Sequence, residues 1–443
     1  MFKGTTLPMI PFTVCNVKGE GQVFSFFYFS FIMTPTFRNT LYTNDNLYVL
    51  SGLNSETVDL IYLDPPFNSK RTYSAPVGSK ATGASFKDMW TWKDVDEYHL
   101  DSLAAHSPAL TRFIASAGEI HGKPMMAYLT YMSQRIIEMH RILKGTGSLY
   151  LHCDPTASHY LKILLDFVFG KNNFVTEIIW SYAWGVRTTK RWNRKHDVIL
   201  MYAKTQDFTF NFNDVLEERK TSEATQNRLQ YRGAMTTDWN KGRGSEKLAL
   251  PTDVWYIPTI NAMSKERTGY PTQKPLALIR RIVLASSNEG DTVMDPFCGC
   301  ATTCVAAQQL GRKWIGVDIE NQAVKVLIER LSDDAGLFKD FVATDQIPKR
   351  SDLKIVPPSL SAKEQLYKEQ KGKCNACGVD MEIRHLEIDH VIPKIKGGGD
   401  YYENYQLLCG SCNRIKGDRP MEYLRLKIET RERMMKNKVF FGE

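Results

Sequence analysis

Residues 292–320 read TVMDPFCGCATTCVAAQQLGRKWIGVDIE, and this stretch decides the fold. Thr292-Val293-Met294 is a short β-branched and aliphatic run that ends at Asp295. A proline and a glycine-bearing turn follow, then Thr303–Leu310 at helical spacing, then a second apolar run, Lys313–Asp318. Strand, tight turn, helix, strand is the crossover that builds a parallel sheet. Its chemistry is that of a nucleoside site. Glycine in the turn lets backbone approach a ligand closely, and a carboxylate after the second strand accepts hydrogen bonds from ribose hydroxyls. Asp318 stands 23 residues after Asp295 and suits that role. The turn lacks the three-glycine dinucleotide fingerprint, so a nucleoside without phosphates fits better than a dinucleotide. Taken alone, an ordinary crossover with no ligand reads the same way.

Working outward, the alternation continues. Thr57–Leu63 (TVDLIYL) is a buried strand stopped by the rigid turn Asp64-Pro65-Pro66-Phe67. Residues 68–123 are polar and mixed, an elaborated loop region. Ala127–Leu143 has helical spacing, Lys144–Gly147 ends that helix, and Ser148–His152 is the next strand. A helix at Ala157–Val168 and strands at Val175–Trp180 and Asp197–Tyr202 follow. Residues 205–265 lose periodicity, Leu276–Ser286 is helical, and a last helix starts at Asn321. The expected body is α/β, with a mostly parallel, Rossmann-like sheet.

The chain has 443 residues, enough for two or three domains. Hydrophobic residues at 43% and charged residues at 24% exclude a disordered chain. A net charge of +8 fits a polyanionic partner without requiring one. No apolar run approaches the roughly 18–20 residues of a membrane span, and a cytoplasmic protein is expected. Val23–Met33 is aromatic and apolar but has poor signal-peptide flanks, so residues 1–32 read as an extension upstream of a natural start at Met33. Of the nine cysteines, four form two C-x-x-C pairs near the C-terminus, which points to metal ligation in a reducing compartment.

The 292–320 stretch resembles the DNA amino-methyltransferases that use S-adenosylmethionine, and the likeness spans roughly Thr40 to Leu331. The family carries D-P-F-x-G-[small]-G-T-T; this chain carries Asp295-Pro296-Phe297-Cys298-Gly299-Cys300-Ala301-Thr302-Thr303. It departs at Ala301, where the family usually has glycine, and alanine disfavours positive φ, so a different local turn is expected. The resemblance implies S-adenosylmethionine as cofactor, with Asp295, Phe297, Gly299 and Thr302 along it and Asp318 on its ribose. Tyr270-Pro271-Thr272-Gln273-Lys274-Pro275 resembles the preceding family motif, which implies Thr272, Gln273 and Lys274 at the methionine end. Cys298, Cys300 and Cys304 are small residues around a turn rather than a metal set.

Methyl transfer to an exocyclic amine needs the amine in line with the methyl group and acceptors for the charge that develops on nitrogen. Asp64 with the Pro65 carbonyl, stiffened by Pro65 and Pro66, supplies acceptors, and Phe67 supplies a platform for a base flipped from the stack. Asp at the first position resembles the enzymes that make N6-methyladenine; Ser is commoner in those that make N4-methylcytosine. The catalytic motif precedes the cofactor motif, which resembles the permuted beta-class order. Target recognition is then expected at about 185–268, where Arg187, Lys190, Arg191, Arg194, Arg219, Lys220, Arg228, Arg232, Lys241 and Arg243 accumulate. A basic solvated loop has the same composition.

Cys374-x-x-Cys377 and Cys409-x-x-Cys412 are two paired thiolate turns, a structural Zn2+ signal in a module too short for a large core. Residues 386–420, LEIDHVIPKIKGGGDYYENYQLLCGSCNRIKGDRP, resemble the HNH nuclease family. Asp389-His390, Asn404 and Asn413 match its D-H…N…N variant, at spacings of 14 and 9 residues. The resemblance implies His390 as general base, Asp389 and Asn413 as ligands of a catalytic Mg2+, and Asn404 as the residue that orients the imidazole. Lys394, Lys396, Arg414, Lys416 and Arg419 are placed along the nucleic-acid backbone.

The expected organisation is an N-terminal extension at 1–32, a methyltransferase domain at 33–344, a linker at 345–361, a small zinc-stapled ββα HNH domain at 362–425 and a basic tail at 426–443. The expected function is N6-adenine methylation of double-stranded DNA, with an HNH nuclease attached, in a restriction–modification or phage setting. Two alternatives stand beside it: N4-cytosine methylation, and an HNH-like module that only binds DNA.

Overall fold

The computed structural model describes residues 39–67, 71–76, 78–95, 103, 107–183, 188–218, 248–261, 263–320, 324–327, 329–330, 341–394, 398–419, 421, 423–425 and 427–429. The expected N-terminal extension, Arg187, the basic residues from Arg219 to Arg243, Lys396 and residues 430–443 of the tail lie outside the described residues.

The strands, in chain order, are β1 (Asn39–Tyr42), β2 (Val58–Leu63), β3 (Arg71–Ser74), β4 (Ser85–Asp88), β5 (Leu143–Cys153), β6 (Phe174–Ser181), β7 (His196–Ala203), β8 (Glu217–Glu218), β9 (Leu248–Ala249), β10 (Val254–Tyr256), β11 (Thr292–Asp295), β12 (Lys313–Val317), β13 (Phe341–Thr344), β14 (Leu386–His390) and β15 (Tyr405–Cys409). Nine of them form one sheet in the order β10-β6-β7-β5-β2-β11-β12-β1-β13. All neighbours are parallel except β7, which runs antiparallel to both β5 and β6.

Helices cover both faces, so the inner strands are apolar on both sides. In β2 the side chains alternate between two cores: Ile61 and Leu63 join the first, Leu60 and Tyr62 the second. The same period of two divides β7, with Leu200 and Tyr202 on one side and Ile199 and Met201 on the other. The first core is closed by α1 (Asn46–Gly52), α2 (Pro108–His121), α3 (Lys123–Ile142) and α4 (Ser158–Phe169). The second is closed by α5 (Leu276–Ser286) and α6 (Thr302–Gln309). Among the described residues no helix is long and apolar enough to cross a membrane.

Three sequence expectations change. Lys144–Gly147 does not cap the helix; it opens β5, which starts directly after α3. Gly147 is needed there because a Cβ would lie 2.8 Å from the Asp59 carbonyl oxygen of β2. The region 68–123 is not only loop: it holds the β3–β4 hairpin and α2, whose N-cap Ser107 accepts from Leu110 N at 3.1 Å. The stretch 345–361 is no free linker. Ser351 N and Asp352 N donate to Asn54 Oδ1, and Asp352 accepts from Ser55 N at 2.9 Å. On its other side Val356 N donates to the Asp400 carbonyl at 2.9 Å, and the Val356 carbonyl accepts from Tyr405 OH at 2.8 Å.

Past this strap, α7 (Leu360–Glu369), the antiparallel pair β14–β15 and α8 (Gly410–Lys416) make a small unit with its own core. That is the expected ββα order.

Candidate active site and C-terminal metal centre

Three neighbouring parallel strands, β2, β11 and β12, end at one edge of the sheet, and each delivers a carboxylate there: Asp64, Asp295 and Asp318. Ligands of open α/β sheets bind beyond these carboxyl ends. A cavity of about 550 Å³ lies there, lined by all three acids with Phe67, Phe297 and Lys274. Its size falls within the usual range of small-molecule sites.

Asp295 organises the loop after β11. Its Oδ1 accepts from Phe297 N at 3.0 Å and its Oδ2 from Thr303 Oγ1 at 2.5 Å. Burial pushes its carboxyl up to about 7 against those two hydrogen bonds. Asp318 accepts from Gly299 N and Glu320 N, each at 2.8 Å, and burial pushes it up to about 6. Gly299 has φ of 50°, and a Cβ there would stand 2.9 Å from the Tyr270 ring. Ala301 takes the left-handed conformation itself, at φ 58°, so the turn keeps the glycine geometry despite the alanine. Strain of about 1–2 kcal/mol is the usual cost of that conformation, which here the buried Ala301 methyl offsets in part. Cys298, Cys300 and Cys304 are buried in this packing, as expected.

The Tyr270–Pro275 motif divides between two tasks. Gln273 turns back on its own loop, accepting from Thr268 N at 2.8 Å and donating to the Glu266 carbonyl at 2.8 Å. The Thr272 hydroxyl donates to the Pro271 carbonyl, while Thr302 accepts from the buried Arg330 at 2.9 Å. Lys274 lines the same cavity as Asp318 and Phe297, and its ammonium pairs with Asp64 Oδ2. Its ammonium also lies 5.6 Å from the Phe67 ring centre. Asp64 Oδ1 is buried and has no hydrogen-bond partner. An unpaired buried carboxylate oxygen at a cavity wall is an acceptor waiting for a donor.

Two groups escaped the sequence reading. Arg135, 1% exposed, donates to Asn46 Oδ1 at 2.5 Å and Asp45 Oδ1 at 2.8 Å, and stacks 3.2 Å over the Tyr131 ring. Asn46 in turn donates to the Pro296 carbonyl at 2.8 Å, so α1 and α3 brace the loop after β11. A charged residue on the apolar face of α3 was the available signal. The other is His152, wholly buried at the end of β5.

In the C-terminal unit the sulfurs of Cys374, Cys377, Cys409 and Cys412 lie within 4.8 Å of one another, the one such cluster among the described residues. Cys409 N donates to Cys374 Sγ at 3.3 Å and Cys412 N to Cys409 Sγ at 3.4 Å. Backbone N–H groups aimed at sulfur stabilise thiolates, so this set fits a tetrahedral metal ion.

The HNH residues share a pocket of about 240 Å³ lined by Asp389, His390, Lys394 and Asn413, but their pairing differs from expectation. Asp389 is held by the fully buried Lys416 at 3.0 Å and by Gln406 at 2.8 Å. Asn413 donates to Glu387 at 2.6 Å. The Lys416 ammonium thus neutralises Asp389 inside the pocket that Asp389, His390 and Asn413 share. Lys416 is also no surface contact for a nucleic acid, whereas Lys394, Arg414 and Arg419 are exposed. Asn404 staples a loop, accepting from Ile392 N and donating to the Ile392 and Gly399 carbonyls. The partner of His390 is Asp400, whose Oδ1 is 2.9 Å from Nε2.

Residues 58–329 match the family described as DNA methylase, and residues 374–419 match the HNH endonuclease family. The DNA adenine methyltransferase YhdJ of Escherichia coli (strain K12) is 28% identical over 332 residues, covering 73% of this chain and 95% of that protein. The type II methyltransferase M.HpaI of Haemophilus parainfluenzae is 28% identical over 311 residues, covering 70% of this chain and 78% of its own. Among solved structures, the PvuII DNA methyltransferase (cytosine-N4-specific) aligns over 67% of this chain and 88% of its own, at 14% identity and a TM-score of 0.44.

Proposed function

The chain belongs to the DNA methylase family and carries an HNH endonuclease domain, so its partner is DNA, and from that premise we propose that it methylates the N6 amino group of adenine in double-stranded DNA. The observation that carries this reading is Asp64 at the cavity wall, clamped by Lys274 through one oxygen and unpaired at the other. S-adenosylmethionine supplies the electrophilic methyl group. Asp318 is suited to its ribose, and Phe297 and Gly299 to its flank; Asp295 and Thr302 hold the loop that presents them. Asp64 Oδ1 and the Pro65 carbonyl accept the two hydrogens of the target amine, which aims the nitrogen lone pair away from the ring. Phe67 supports the flipped base. The exposed Lys190, Arg191 and Arg194 serve the phosphate backbone. The adenine assignment rests on aspartate at position 64.

Nucleoside mass spectrometry of mixed-sequence DNA, incubated with the protein and S-adenosylmethionine, tests it. N6-methyldeoxyadenosine is the expected product. N4-methyldeoxycytidine would keep the mechanism and overturn the base; no methylated nucleoside would overturn the reading.

Cofactor affinity should depend on pH. Asp318 accepts from both ribose hydroxyls only when ionised, so binding tightens as pH rises through about 6. Below that, calorimetric titration should show roughly tenfold weaker binding per pH unit; a flat profile from pH 5 to 8 would remove Asp318 from the site. Protein stability has the opposite sign. Asp295 and Asp318 have raised pKa values in the fold, so their contribution is full below the unfolded value of about 4 and is lost as pH rises through about 6 and 7.

For the C-terminal module, Zn2+ is the proposed occupant of the four cysteines. A second reading, in which the module binds DNA without cutting it, is favoured by the pairing of Asp389 with Lys416.

A further inference from the structure

We propose that His152, with Asp197 behind it, is a positioning residue that receives through Asp64 the proton shed by the target amine. This rests on the methyltransferase reading.

His152 is 0% exposed. Nδ1 is 2.9 Å from Tyr62 OH of β2 and 3.9 Å from Asp64 Oδ1, the unpaired oxygen. Nε2 is 3.3 Å from Asp197 Oδ2 of β7, and Asp197 Oδ1 accepts from Tyr182 OH at 3.1 Å. Phe67 lies at 6.0 Å and Trp180 at 5.5 Å from the ring, centre to centre. The charged neighbours are Asp64, Asp197 and, beyond Asp64 and Tyr62, Lys274 and Asp295. A carboxylate on Nε2 selects the tautomer protonated there, which leaves Nδ1 as the acceptor for the Tyr62 hydroxyl, beside the unpaired Asp64 oxygen. Burying a histidine between two aspartates at the end of an apolar strand serves no packing need that leucine would not meet.

The reaction generates a proton that must leave. The amine nitrogen forms a bond to the methyl carbon, and the carbon–sulfur bond of the methyl donor breaks with its electron pair left on sulfur. The nitrogen is now cationic and releases one proton to Asp64 Oδ1. Lys274 on the other oxygen disfavours a protonated Asp64, so the proton passes on to His152 Nδ1. Transfer requires the carboxylate to close the 3.9 Å gap by about 1 Å and the Tyr62 hydroxyl to rotate off the Nδ1 lone pair. Asp197 balances the imidazolium, and its 18% exposed side chain is the outlet to water.

Single-turnover methyl transfer, equilibrium binding of S-adenosylmethionine and DNA, and ¹⁵N spectra of histidine-labelled protein test the proposal. In wild type the rate should rise with pH through an ionisation separate from those of Asp295 and Asp318, and the spectra should place a hydrogen on His152 Nε2. His152→Gln should transfer roughly 10²-fold more slowly, with both affinities unchanged and that ionisation gone from the profile. Asp197→Asn preserves volume should His152→Gln not fold; it should move the ionisation to lower pH, because the imidazolium loses its counter-charge. Wild-type rates in both variants, or slow variants with an unmoved pH profile, would overturn the proposal while leaving the methyltransferase reading intact. An inactive wild type would overturn both.

Discussion

Asp64→Ala is expected to lower the rate of methyl transfer by roughly 10²–10³-fold, the usual cost of losing a group that stabilises charge in the transition state. The substitution removes the acceptor for the target amine. It also strands Lys274, whose side chain is 10% exposed, as a nearly buried ammonium without a counter-charge. Breaking such a pair from one side costs about 3–5 kcal/mol of stability. The two effects separate in variants. Asp64→Asn retains shape and one acceptor oxygen but no charge. Asp64→Ala combined with Lys274→Met removes the stranded cation, so stability should largely return while transfer stays slow. Lys274→Met alone leaves Asp64 unclamped and should slow transfer without abolishing cofactor binding. Thermal unfolding beside single-turnover rates decides: a double variant that regains activity with stability would mean that Asp64 is only structural.

Removing the metal from the four-cysteine cluster should unfold the C-terminal unit and spare the sheet. Structural zinc in small modules contributes about 10–16 kcal/mol near neutral pH. The core beside the four cysteines is small, centred on Leu386, Leu407, Leu408 and Leu424. Without the ion, four sulfurs within 4.8 Å, three of them in buried cysteines, repel as thiolates or lose their partners as thiols. Elemental analysis should find one zinc per chain. A strong chelator, or Cys409→Ser, should make residues beyond about 360 sensitive to protease while methyl transfer continues. Unchanged protease resistance after the metal is removed would show that it does not hold the unit together. Because residues 350–356 hydrogen-bond to both Asn54–Ser55 and the Asp400–Tyr405 region, the first cleavages should fall beyond this strap.

How far the chain was legible varies from element to element. β2, β11, β12 and α5 read clearly because each is a continuous apolar run or a helical stripe bounded by proline, glycine or aspartate. β1, β10 and β13 escaped: β11 is as short but sits in a strand–turn–helix motif, whereas these three are fixed by the partners the sheet offers them. The turn at Ala301 was misjudged because alanine's preference is weaker than the packing around it.

What the sequence by itself determined is the chemistry available: an aspartate in a proline-stiffened turn, an acidic residue after a crossover, four cysteines in two pairs. These lie in short local motifs, where spacing and backbone chemistry are written in consecutive residues. Only the tertiary structure decided which side chains meet. It put Lys274 on Asp64, 210 residues away in sequence, His152 between Asp64 and Asp197, Asp400 rather than Asn404 on His390, and Lys416 on Asp389. Each of these pairings joins charges across separate elements. Their partners are set by strand order and burial, and buried charges must find a counter-charge wherever the fold provides one.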